Sequence, residues 1–228
     1  MRKIIASAFV SLDGVMQGPG GPQEDPTGGF TLGGWTATYW DDAIGAYMGE
    51  AFSTPFDLLL GRRTYDIFAA HWPYVDVDET STTFDAVTKQ VADLFNGTTK
   101  YVATHEPATL TWQNSQALGK DVPAAVKKLK QGDGADLLIQ GSSGLIQQLL
   151  AADLIDEIRL MIYPLTLGKG KRLFGTGTIP GAFKVTRSTV SPSGVIIAGY
   201  QRAGEVRTGN FQLENPTPAE IERRKNLK

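Results

Sequence analysis

The stretch "ADLLIQGSSGLIQQLLAADLIDEIRLMIYP", residues 135–164, decides the fold. Its first six residues form an apolar run of strand length, and its last nine, "DEIRLMIYP", form another. Between them the turn Gly141-Ser142-Ser143-Gly144 feeds a segment with Leu145, Ile146, Leu149 and Leu150 at helical spacing. Strand, turn, helix and strand in that order make a crossover between parallel strands. Just upstream, "DVPAAVKKLKQG" (121–132) reads as a helix, with Asp121 or the residue before it capping, a proline early and Gly132 closing it.

Working outward, "KIIASAFV" (3–10) reads as a central strand whose small residues allow close packing, and "FDLLLG" (56–61) as a second. "TKYVATHE" (99–106) alternates like a strand, and "LTWQNSQAL" (110–118) is a weaker strand or a loop. Helices are expected over "DDAIGAYMGEAF" (41–52), "TYDIFAAHW" (64–72) and "AVTKQVADLFN" (86–96). "FKVTRSTV" (183–190) and "GVIIAGYQR" (194–202) flank the turn signal Ser191-Pro192-Ser193-Gly194 and predict a hairpin. The fold class is therefore α/β: three layers around a mixed, mostly parallel sheet that ends in an antiparallel hairpin. Residues 1–205 are expected to form one domain, and 206–228 a polar tail that orders only in part.

Twenty-two basic residues against 24 acidic ones give a formal net charge of −2, which supplies no global attraction to nucleic acid or to a membrane surface. The absence of cysteine excludes disulfides, thiolate metal sites and cysteine nucleophiles. With only His71 and His105, far apart in sequence, no metal site is expected. No apolar run approaches the length of a membrane span and the basic start lacks a signal-like core, so a cytoplasmic protein is expected.

Two strand ends carry the chemistry. In "LLLGRRTY" Gly61 lets the chain turn, Thr64 stands at the start of the next helix, and Arg62 and Arg63 offer charge-assisted bonds where unpaired helix amides already attract anions. The alternative is a charged corner between a strand and a helix. In "IQGSSGLIQ" Gly141 and Gly144 permit close backbone approach, while Ser142 and Ser143 either help bind a pyrophosphate or simply cap the helix. From Gly14 to Gly34 eight glycines fall in 21 residues, with Pro19, Pro22 and Pro26, which predicts a long functional loop. "GKGKRLFG" (168–175) lacks the hydroxyl residue of a phosphate loop, so Lys169, Lys171 and Arg172 read as solvated or rim charges.

"SLDGVMQ", "LLLGRRTYDIF", "KYVATHEP", the stretch from "LLIQGSSG" to "LGKGKRLF" and the closing hairpin follow one another as in the dihydrofolate reductase-like family. The chain resembles in particular its branch related to the reductase domain of riboflavin biosynthesis, over residues 2 to about 202. The resemblance implies an NADPH-dependent reductase that passes hydride to a small planar heterocycle or to a carbonyl or imine, riboflavin-pathway-like or pterin-reductase-like. It places the adenosine 2′-phosphate and neighbouring phosphates on Gly61, Arg62, Arg63, Thr64, Thr104 and His105. The pyrophosphate falls on Gly141, Ser142, Ser143 and Gly144, and the nicotinamide amide near Phe9 and Met16. It also implies a homodimer.

The substrate side stays open. The glycine-rich loop is the natural lid, with Trp35, Tyr39 and Trp40 as walls for a flat substrate or as core. Dihydrofolate reductases place one carboxylate at the start of the helix after this loop, where this chain has Asp41 and Asp42, each equally readable as a first-turn helix residue. Asp13 either shapes its turn or borders the substrate. His105 is an exposed loop histidine or a cofactor contact, and His71 packs at a helix end. The other class of function is a nucleotide-binding protein or sensor that uses the same pocket without turnover.

Overall fold

The computed structural model describes residues 1–212 and 214–227. Eight strands form one sheet in the order β4-β3-β2-β5-β1-β6-β8-β7. The strand β1 (Ile4–Ser11) lies in its middle, parallel to β5 (Asp136–Gln140) on one side and to β6 (Glu157–Tyr163) on the other. Beyond β5 come β2 (Phe56–Gly61), β3 (Lys100–Ala103) and β4 (Ser115–Ala117), all parallel. Beyond β6 the hairpin β7 (Phe183–Val190) and β8 (Ile196–Arg202) completes the sheet antiparallel.

Alternation along β1 distributes the layers. Ile4, Ala6, Ala8 and Val10 pack with Val122 and Val126 of α4 (Val122–Gln131) and with Leu145, Ile146 and Leu149 of α5 (Ser143–Ala151). On the opposite face Ile5 joins Leu58, Leu60 and Leu138 against Tyr65 of α2 (Arg62–Ala69) and Phe95 of α3 (Ala86–Gly97). Beside them Ile44 and Tyr47 of α1 (Asp42–Phe52) pack on Met161, Tyr163, Val195 and Ile197. Lys100 is fully buried where α3 meets β3, and its ammonium donates to the carbonyls of Phe95, Asn96 and Thr98, closing the helix end.

One segment differs from expectation, and two are defined more closely than the sequence defines them. The helix α2 starts at Arg62 rather than Thr64, because Gly61 is already its extended N-cap and Arg62 pairs with Asp66 one turn on. "LTWQNSQAL" reduces to three paired residues, since Trp112 turns into the core. The tail contains a helix, α6 (Pro218–Lys225), started by the Thr217 cap and laced by Glu220 to Arg223 and Arg224.

The glycine-rich loop is a folded arch rather than a featureless strap. The Gln17 side chain donates to the carbonyls of Asp25 and Thr27, the Trp35 indole donates to the Gln17 carbonyl, and the Gly34 amide donates to the Gly18 carbonyl. Gly33 has no room for a side chain: a Cβ there would stand 2.5 Å from the Gly21 carbonyl oxygen.

Candidate active site

The carboxyl ends of β1, β2 and β5 open on a cleft of about 1970 Å³. In a sheet whose central strand has parallel neighbours reached by crossovers in opposite directions, this is where open α/β proteins bind ligands. Two strand-to-helix turns meet there, because β2 and β5 are adjacent. Ser142 ties them together: its Oγ accepts from the Gly61 amide at 2.9 Å and donates to Thr64 Oγ1 at 2.6 Å. Ser142 holds a left-handed backbone (φ 67°) next to Gly141 (φ 79°), strain that concentrates at functional turns.

Helix capping singles out this place. Among the described residues, α1, α3, α4 and α6 each have a side-chain cap, from Asp41, Asp85, Asp121 and Thr217. The two described α-helices without one are α2 and α5, and both start on the cleft. Both helix starts line this one cleft, each bringing the positive end of its helix dipole to it. In front of α5, a Cβ on Gly144 would meet nothing within 4 Å, so the space is open. Such a cradle suits the phosphates of a dinucleotide.

The cations beside it are already engaged. Arg62 is held by Asp66, by Thr104 Oγ1 at 3.3 Å and by Thr109. Arg63, just over half exposed, reaches Asp25 at 3.2 Å and Thr27 Oγ1 at 2.8 Å. Lys171 bonds the same Asp25, whose burial would raise its pKa were it not outweighed by Lys171 and Thr27, which leave it lowered. The arch is thereby clamped to both the α2 start and the segment after β6.

The carboxylates sort by their partners. Asp13 accepts from Ser11 Oγ and from the amides of Leu167 and Gly168, which hold it at about 2. Burial pushes Asp41 up, but hydrogen bonds from the amides of Ile44 and Ser193 outweigh it and leave it at about 2. Both are anions at neutral pH with structural bonds: one pins the first turn to residues 167–168, the other caps α1 and holds the hairpin turn. Asp42 is exposed on the cleft wall. Glu24, on the arch, behaves oppositely. Its pKa is raised, first by burial, then by the charge of Asp25, with the Gly20 and Gly21 amides pulling the other way. Oε2 takes the Gly20 amide at 2.5 Å. Glu24 is thus the carboxyl on the cleft most disposed to carry a proton.

A family model described as the RibD C-terminal domain matches residues 2–197. The chain belongs to that family. The uncharacterized protein YyaP of Bacillus subtilis strain 168 is 27% identical over 210 residues, covering 89% of this chain and 96% of YyaP. Among solved structures, the chain resembles a diaminohydroxyphosphoribosylaminopyrimidine deaminase/5-amino-6-(5-phosphoribosylamino)uracil reductase from Thermotoga maritima, with a TM-score of 0.54 and 14% identity over 89% of this chain and 57% of that one. It also resembles the Enterococcus faecalis dihydrofolate reductase complexed with NADP(H), with a TM-score of 0.50 and 13% identity over 88% of this chain and 96% of that one. At those identities the likeness is one of fold.

Within this RibD-type domain, the cleft brings together Phe9, Met16, Gly61, Arg62, Arg63, Thr64, Gly141, Ser142, Ser143, Gly144, Trp40, Asp41 and Asp42. It leaves out others. Trp35 and Tyr39 stand edge-on to Tyr163, at 5.2 and 5.8 Å between centroids, inside the cluster below α1, so they support the wall rather than form it. Thr104 is buried behind Arg62, His105 is exposed outside the cleft lining, and Asp13 lies under residues 167–168. His71 lines the outer cleft with its ring edge-on to Trp72. Glu24 and Asp25 belong to no motif, and their sequence signal is only that of two adjacent carboxylates inside a stretch of glycine and proline. Among the described residues no cluster of three metal-ligating side chains occurs, and no helix is long and apolar enough to cross a membrane.

Proposed function

We propose that the protein is an NADPH-dependent reductase acting on a small planar heterocycle or on a carbonyl or imine compound. The observation that carries this is the pair of uncapped helix starts, α2 and α5, tied by Ser142 and opening on one cleft while the other four described α-helices are capped. Membership of the RibD family and the fold shared with a dihydrofolate reductase complexed with NADP(H) support the choice of ligand. Bound there, the cofactor supplies hydride.

The chain's own residues do the rest. The amides of Ser143 and Gly144 and those at the α2 start would hold the phosphates, the half-exposed Arg63 would serve the 2′-phosphate, and Phe9 and Met16 would bound the ring end. Glu24 gives a proton to the oxygen or nitrogen of the reduced bond and regains it from solvent, a role that its raised pKa favours. Asp13 and Asp41, both fully bonded, keep the scaffold in place. The non-turnover reading draws on those two commitments, and Glu24 separates it from catalysis.

The test is NADPH oxidation with quinone, imine and pterin acceptors by wild type, Arg63→Ala and Glu24→Gln. We expect turnover by wild type, a loss in Arg63→Ala that falls on NADPH more than on NADH, and unchanged NADPH affinity with depressed turnover in Glu24→Gln. NADPH binding without oxidation of any acceptor would favour a binding protein. A homodimer remains part of the proposal, with the edge strand β7, whose Val185 and Val190 are exposed, as its contact; sedimentation equilibrium reads it directly.

A further inference from the structure

The charge on the cleft wall is unevenly shared. Its described cationic residues are Arg62, Arg63 and Lys171, all at the phosphate-cradle end and each already engaged by a carboxylate. The other arm runs between α1 on one side and the body of α2 and α3 on the other, and its described lining contains no lysine or arginine, its basic side chain being His71. What it offers is aromatic and aliphatic: Phe52, Phe68, Trp72 and Leu94, with Phe68 and Trp72 grouped on Phe95 at 5.8 and 5.0 Å.

The middle of α1 leaves room on this side of the arm. Gly45 and Gly49 sit one turn apart inside the helix, where glycine is the poorest ordinary residue. Packing does not require them. A Cβ on Gly49 would meet nothing within 4 Å, and one on Gly45 only the Trp40 indole nitrogen at 3.9 Å. Their absent side chains widen the arm.

We propose that this arm receives the substrate, and that the substrate is a flat, largely apolar carbonyl, imine or quinone carrying no phosphate, carboxylate or other anionic group. An anion there would lose water and find no lysine or arginine, only the His71 imidazole beside Trp72 and the carboxylates of Asp42 and Asp66 at the rim. A neutral ring loses little water and gains the aromatic wall. The proposal rests on the reductase reading above. In the reaction the π bond of the C=O or C=N group and a C–H bond of a reduced nicotinamide break; the hydride's electron pair forms a C–H bond at the electrophilic carbon and leaves the nicotinamide oxidised, while the π pair forms an O–H or N–H bond with a proton from Glu24.

The test uses a matched pair of probes, 1,4-naphthoquinone and its 2-sulfonate, titrated by tryptophan fluorescence without cofactor and then as acceptors in NADPH oxidation. We expect the neutral quinone to bind at least about tenfold more tightly than the sulfonate, the penalty for an unpaired anion in an apolar site. Gly49→Leu should abolish quinone binding with thermal stability and NADPH affinity unchanged, and Val87→Arg, on the exposed lining of α3, should recover sulfonate binding. Equal or tighter binding of the sulfonate by wild type, no binding of either probe, or an unaffected Gly49→Leu overturns the proposal. Quinone binding that Gly49→Leu abolishes, in a protein that never binds NADPH, instead upholds the arm and overturns the reductase reading.

Discussion

Ser142 concentrates the site in one residue. Its hydroxyl bonds Gly61 and Thr64, while its left-handed backbone is unfavourable for any side chain. Ser142→Ala loses the bonds and keeps the strain, and Ser142→Gly loses the bonds but sheds the strain. Urea unfolding should therefore rank wild type, glycine and alanine in falling stability where the two bonds outweigh the strain, with alanine below glycine by about 1 kcal/mol. None of this was legible in "GSSG", where either serine reads as an ordinary cap; the distinction lies in a backbone angle and in a partner 81 residues away. The carboxylates give a pH signature with two opposite limbs. Asp13 and Asp41 fall from 3.8 to about 2 on folding, so their contribution is complete above pH 3.8 and is lost as pH falls towards 2. Glu24 is raised above 4.5, so the folded protein holds its proton longer than the unfolded chain, and stability declines as pH climbs from 4.5 through the folded value. Thermal melts of wild type and Glu24→Gln across that range should differ in slope, the variant lacking the decline; parallel curves would remove Glu24 as a proton carrier.

At the scale of elements, the arch from Gly14 to Gly34 behaves as a clamp with a tip. Gln17, Trp35 and the Asp25 ion pairs fix its base, while Gly20, Gly21, Gln23 and Glu24 line the cleft. Gly33→Ala must push the Gly21 backbone away, which should loosen the tip without reaching the sheet. Limited proteolysis should then cut near residues 20–24 faster than in wild type, with the global melting temperature falling by only a few degrees, as expected for about 1 kcal/mol in a domain of this size. Protection equal to wild type would mean the arch tolerates the methyl group and is softer than its contacts imply. The sequence marked this segment as long and functional from its glycines. It could not give the arch, because Gln17, Trp35 and Lys171 meet through contacts set by the β6-to-β7 connection. Similarly, aromatic residues at 35, 39 and 40 read alike in sequence, and only the facing of two short turns sends Trp35 and Tyr39 to Tyr163 and leaves Trp40 on the cleft.

For the molecule as a whole, local pattern carried the fold far. The crossover at residues 135–164 appears as β5, α5 and β6, and the closing hairpin as β7 and β8. Their hydrophobic periods are complete within each segment, which is why they were readable. Strand order was not, since the insertion of β5 between β2 and β1 depends on pairings across more than 70 residues. That insertion sets the two uncapped helix starts side by side, and the functional account stands or falls on what fills them. The direct measurement is the dissociation constant of NADPH, by fluorescence titration, for wild type and for Gly144→Val. The added side chain enters open space in the protein, so the melting temperature should hold while NADPH affinity falls by at least about tenfold, the worth of one lost charge-assisted bond. A Gly144→Val protein that binds NADPH as tightly as wild type, or a wild type that does not bind it, would contradict the account.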